Sequence, residues 1–388
     1  MSSRSLAVLE AGKGPFIADM FVNSDAKQSG RQWGTRLGIE ALVPPASDGA
    51  VIAEPTGHPQ RRMERLWACA CAALLSAACG STSAPTATTS RLASDYTNEI
   101  LEIMQNNSIN RAKINWTDFR DQVIQGAQGA QTIPDLYPAI SVALGLLDDH
   151  HSFYLTASGT YVQNPTVKQC PPAPLASPAI PVDIGYVRIP GFSSTRPGAD
   201  VEFADSIANQ IRSRDTLGLA GWIVDVRGNT GGNMWPMIAG IGPILGEGVV
   251  GYFVPPLGVP STAWEYWNGG AFAGAGVVIR TSMPYTLITP TPKVAVLTDY
   301  AVASSGEAVV VAFRARPNTR SFGSATCGLS TSNQTFGMSD RASLFLTVAV
   351  MADRTLTLYG QSLVPDETVS GDAEVVQRAI AWLRSSAL

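Results

Sequence analysis

The sequence predicts an α/β protein with a small helical domain ahead of its main core. Three observations carry this. Short apolar, β-rich runs bounded by turn residues occur at 184–189 (IGYVRI), 221–226 (GWIVDV) and 293–299 (KVAVLTD). Helical stretches at 200–212, 307–316 and 372–384 lie between and after them. Upstream, residues 89–154 show helical periodicity instead. The 36 glycines and 26 prolines favour a turn-rich α/β or β protein over a helical bundle.

The chain divides in order. Residues 1–62 lack sustained periodicity and are broken by Gly and Pro, so they read as an unstructured or misassigned leader, with Met63 as the working start. Residues 63–79 read as a secretory signal. Arg61, Arg62 and Arg65 precede a short apolar run, LWACACAALLSAA, that ends in small residues. The run is too short to span a bilayer, which takes about 20 apolar residues. The junction LLSAAC-GS resembles a bacterial lipoprotein signal and marks Cys79 for lipidation. Residues 80–88 form a flexible polar tether.

In the helical domain, 89–154, Leu92, Tyr96, Ile100 and Ile103 share one helix face. A second helix is expected near Asn115–Thr117, where polar side chains can cap free N–H groups. A third follows Pro134, with Leu136, Ile140, Ala143, Leu144 and Leu147 inward. Residues 155–180 read as a Pro-rich linker, and 181–388 as the core domain.

Composition excludes several classes. The net charge of −4 comes without a long run of one sign, which argues against nucleic-acid binding and against a polybasic membrane patch. No Cys/His cluster has metal-ligand spacing, so neither metal nor organic cofactor is implied. The three histidines are His58, His150 and His151, so a hydrolase needing an imidazole base has few choices.

Three segments carry chemistry. Asp225–Asn233 (DVRGNTGGN) follows the strand GWIVDV, and its glycines can turn N–H groups toward a ligand oxygen. At Thr298–Phe313, a strand ends and a helix begins near Ser304, beside unsatisfied N–H groups and a positive helix terminus. Taken alone, Ser304 with Glu307 reads as a helix cap. The third segment is Leu147–Phe153 (LDDHHSF).

Together these segments resemble the C-terminal-processing (tail-specific) serine peptidases. The family's D-x-R-x-N-x-G-G is matched by Asp225, Arg227, Asn229, Gly231 and Gly232. Its S-x-x-E is matched by Ser304 and Glu307, its G-x-x-T-x-G by Gly323, Thr326 and Gly328, and its closing motif by Gly360, Pro365 and Asp366. The Ser/Lys branch places a lysine where Leu329 stands, and no lysine follows Lys293. The resemblance is therefore to the tricorn-core-like branch, whose D-x-H-S element is matched by Asp149, His151 and Ser152. It implies a crotonase-like β/α spiral core. It implies Ser304 as nucleophile, His151 as base with His150 as alternative, and oxyanion donors from Gly231 or Gly232 and Ser305. Asp149, Asp353 or the Ser152 hydroxyl would orient the histidine. About 25–30 residues separate the helical and core domains, too few for a PDZ domain.

The function expected is an exported serine peptidase of the bacterial cell envelope, acting on a peptide or protein and anchored through Cys79. A small-molecule esterase or amidase, and a non-catalytic hydrophobic-ligand carrier, are the alternatives. Cys170 and Cys327 could pair in an oxidising compartment. The sequence leaves the oligomeric state open.

Overall fold

The computed structural model describes residues 88–385, except 258 and 260. The expected leader, signal, Cys79 and most of the tether lie outside the described residues. No helix among the described residues is long and apolar enough to cross a membrane.

Three helices open the described chain: α1 (Arg91–Asn107), α2 (Trp116–Gly126) and α3 (Tyr137–Leu146). Ser90 caps α1 by accepting from Ala93 N, and Asn115 caps α2 by accepting from Thr117 N. The inward face of α1 is Ala93, Tyr96, Thr97, Ile100, Leu101 and Met104, whereas Leu92 is exposed. The apolar stripe is thus rotated from the expected one. This helical cluster is completed by Leu344 and Leu346 of the later sheet, so its core is shared with the rest of the molecule.

Next come β1 (Phe153–Leu155), β2 (Tyr161–Val162), β3 (Ile184–Arg188), α4 (Ala199–Arg214), β4 (Gly221–Asp225) and α5 (Met234–Leu245). The strands β5 (Gly248–Val254), β6 (Thr262–Trp267), β7 (Gly270–Ala273) and β8 (Gly276–Arg280) follow. The chain continues through β9 (Val294–Thr298), α6 (Ser305–Phe313), β10 (Thr319–Gly323), β11 (Thr331–Gly337) and β12 (Ser343–Asp353). It closes with β13 (Glu367–Thr368) and α7 (Asp372–Arg384). The expected linker is therefore not wholly irregular, since β2 pairs with β1.

Two sheets result. Five strands form a parallel sheet in the order β13-β10-β9-β4-β3. Their near-continuous apolar runs suit a sheet covered on both faces. Apolar residues of α7 pack with Ile223, Ala295 and Leu297. Residues of α4, α5 and α6 pack with Val224 and Val296, which alternate with these along the strands. An eight-stranded antiparallel sheet runs β2-β1-β12-β5-β6-β7-β8, with β11 also on β12. The three sequence-predicted strands are β3, β4 and β9, all parallel neighbours.

Candidate active site

Ligands of open parallel sheets gather outside the carboxyl ends of the strands. Here β4, β9 and β10 are adjacent and parallel, so the loops that leave them emerge at one edge. These loops carry the first three motifs.

The β4 loop is held by its own side chains. Asp225 and Arg227 form a buried pair, with Nε 2.9 Å from Oδ1 and Nη2 2.7 Å from Oδ2. Asn229 accepts from Gly231 N at 2.9 Å and donates to the carbonyl of Ile189. Its own carbonyl accepts from Ala303 N at 3.0 Å, tying this loop to the turn before Ser304. Gly231 (φ 103°) needs its hydrogen, because a β-carbon there would come within 2.9 Å of Ser304 Cβ.

Ser304 sits immediately before α6 with φ 51° and ψ −115°. Such a conformation is rarely populated by a residue with a side chain and costs about 1–3 kcal/mol. The surroundings fix it. Ser304 N donates to Glu307 Oε2 at 3.0 Å, and Cys327 N donates to the carbonyl of Val302. Glu307 is fully buried and also accepts from Thr326 Oγ1 (2.5 Å), Gly328 N (2.9 Å) and Leu329 N (2.7 Å). Burial pushes its carboxyl above the ordinary range, and these four donors oppose that push. Glu307 is thus more than a helix cap. It joins the β10 loop to the serine turn.

His151 follows α3 and is 8% exposed. Its Nε2 lies 3.1 Å from Ser304 Oγ, and its Nδ1 lies 2.7 Å from Thr331 Oγ1. With the proton on Nδ1, donated to Thr331, Nε2 is free to accept from the serine hydroxyl. Burial lowers the imidazole pKa to about 4. The ring is therefore neutral near pH 7, the state in which Nε2 can accept a proton.

The structure corrects several expectations about this site. Asp149 does not touch the ring: its carboxylate accepts from His151 N, Ser152 N and Ser152 Oγ, holding the turn. The Ser152 hydroxyl is spent in that bond. Asp353 accepts from Thr355, Thr357 and Tyr359 instead of the imidazole. His150 points elsewhere, 3.5 Å from Asp148. Gly231 N–H is occupied by Asn229, so it is not available as an oxyanion donor. The N–H groups of Gly232 and Ser305 have no acceptor among the described residues. Nothing in the stretch CGLSTSN singled out Thr331, a hydroxyl brought to the ring by the pairing of β11 with β12.

At the lysine position of the Ser/Lys branch, Leu329 packs with Ala303, Cys170 and Cys327. The two cysteines are bonded, with Cα atoms 5.9 Å apart. Among the described residues no group of three His, Cys, Asp or Glu side chains could hold a metal ion.

Residues 183–369 match the model of peptidase family S41. A nisin-resistance protein of Lactococcus lactis subsp. lactis is 25% identical over 270 residues, covering 70% of this chain and 80% of its own. The solved structure of a lipoprotein from Streptococcus agalactiae superposes with a TM-score of 0.60 at 22% identity, covering 76% of this chain and 97% of that one. A putative peptidase from Parabacteroides merdae gives 0.51 at 16% identity, with 76% and 98% covered. The two solved structures show that the fold is shared.

Proposed function

We propose that this serine-type peptidase, which carries a family S41 domain at residues 183–369, cleaves peptide bonds through an acyl-enzyme on Ser304. The observation that carries the reading is the line Thr331–His151–Ser304, with contacts of 2.7 and 3.1 Å. Ser304 Oγ attacks the carbonyl carbon while its proton passes to His151 Nε2. The oxyanion is received by the N–H groups of Gly232 and Ser305. Collapse expels the amine, which takes the proton from His151. Water then attacks the ester by the same proton path, releasing the acid and restoring Ser304.

A peptide or protein substrate follows from the family. The relative named for nisin resistance makes nisin the first peptide to test. We also read the chain as exported to the bacterial envelope and lipidated at Cys79. The LLSAAC-GS junction supports this, as does likeness to a streptococcal lipoprotein.

The test is labelling of the full chain with a fluorophosphonate probe, beside peptide hydrolysis. Wild type should label. Ser304→Ala should not, and His151→Ala should react about 10²–10⁴-fold more slowly. A folded wild type that never labels, or a Ser304→Ala variant that still cleaves, would sink the assignment.

A further inference from the structure

The segment between β2 and β3 crosses all three loops of the site. Lys168 Nζ donates to the carbonyl of Gly328 at 3.3 Å. Cys170 is bonded to Cys327 and packs against the cluster of Ala303, Cys327 and Leu329, which contains the residue before Ser304. Farther along, Pro172 and Leu175 lie against Gly228, where a β-carbon would meet them at 3.8 and 3.4 Å. Yet residues 169–180 take part in no hydrogen bond among the described residues. The covalent bond is therefore the principal tie of this strap.

Its attachment point matters. Cys327 lies between Thr326 and Gly328, both of which donate to Glu307 Oε1. Glu307 in turn holds Ser304 N, and Cys327 N holds the carbonyl of Val302. A strained serine needs surroundings that over-determine it. A strap without internal hydrogen bonds belongs to the low-stability end of a fold and opens locally once its tie is cut.

Resting on the catalytic reading above, we infer that the Cys170–Cys327 bond is a redox latch for Ser304. With both cysteines reduced, the strap leaves the β10 loop, the serine turn relaxes, and the peptidase is latent. Oxidation sets it. Two thiols react with a disulfide-bearing oxidant, which takes two electrons and two protons and leaves as two thiols while the sulfur–sulfur bond forms. A peptidase built this way stays inactive in a reducing compartment and becomes competent in an oxidising one.

The experiment uses the full chain, oxidised and then treated with dithiothreitol, with free thiols counted by alkylation and mass. Fluorophosphonate labelling rate and the thermal transition are read on the same samples. Reduction should slow labelling by about tenfold to a hundredfold, the cost of a slightly misplaced reacting group, while a cooperative transition persists. Reoxidation with oxidised glutathione should restore the rate. A Cys170→Ser/Cys327→Ser double variant should label slowly whatever the reductant. Unchanged labelling with both cysteines alkylated would overturn the latch. So would a bond that resists dithiothreitol in the folded chain. Loss of the cooperative transition on reduction would also overturn it, since the bond would then be a general staple. Oxidised wild type that does not label would instead defeat the catalytic reading, and the latch with it.

Discussion

Replacing Glu307 by Gln tests how the nucleophile turn is held. In the native site Oε1 receives Thr326 Oγ1 and Gly328 N, and Oε2 receives Ser304 N and Leu329 N. All four partners are donors, and an ionised carboxylate is an acceptor alone. The glutamine amide keeps one oxygen and turns an NH₂ toward the other pair. Two buried donors then lose their acceptor, at about 1–3 kcal/mol each. The variant should be destabilised by about 2–6 kcal/mol, a large share of the usual 5–15 kcal/mol. Ser304 should also label more slowly, because its N–H is among the candidates for release. Urea unfolding gives the first quantity and fluorophosphonate kinetics the second. A variant within about 0.5 kcal/mol of wild type, the range of ordinary surface changes, with an unchanged labelling rate would refute the clamp.

Thr331→Val keeps the shape at the imidazole but leaves Nδ1–H without an acceptor, about 1–3 kcal/mol. The turnover number should fall by about tenfold or more with KM little changed, and Thr331→Ser should restore it; a loss confined to KM would argue against a positioning role. For His151, burial holds the folded pKa at about 4 against 6.5 unfolded, so the acid limb of kcat/KM should lie near pH 4, and a midpoint near 6.5 would contradict this. The same shift acts on stability: between pH 6.5 and 4 the unfolded chain takes up a proton that the folded chain refuses. The contribution, about 3 kcal/mol, is therefore present above pH 6.5 and lost as pH falls toward 4. A shallower urea-stability profile in His151→Gln over that window checks the sign.

The parts legible in the sequence were those with local signatures. Buried parallel strands announce themselves as unbroken apolar runs, and β3, β4 and β9 fall within a residue or two of the expected bounds. Amphipathic α2, capped by Asn115, and amphipathic α7 are equally plain. Helix α5 was not: every residue but Pro243 is buried, so no polar face marks its period. The antiparallel sheet escaped because its strands alternate irregularly and shift register at Val249/Gly251, Ala271/Phe272 and Ser332/Asn333. At the site, the ordered motifs point to Ser304 and His151, but the partners they offer for His151 are Asp149, Asp353 and the Ser152 hydroxyl. Thr331 lies 180 residues away and reaches the ring through strand pairing, which no local pattern records.

The choice of a hydroxyl over a carboxylate behind the imidazole has a physical consequence. A carboxylate at Nδ1 would favour the charged ring and raise its pKa. Thr331 accepts one hydrogen bond without adding charge, so burial alone acts and the ring stays a weak base. On the proposed mechanism, catalysis leans less on base strength and more on placement. That is consistent with the effort spent on the serine turn. Asn229 holds Ala303, Glu307 holds Ser304 N, and Cys327 holds Val302, three ties from three segments within three consecutive residues. Their joint effect is to keep Ser304 in its strained backbone conformation, with Oγ on Nε2 and the N–H groups of Gly232 and Ser305 left unspent. The apolar cluster beside Ser304 is formed by Ala303, Leu329 and the Cys170–Cys327 bond, next to the turn that the ties hold.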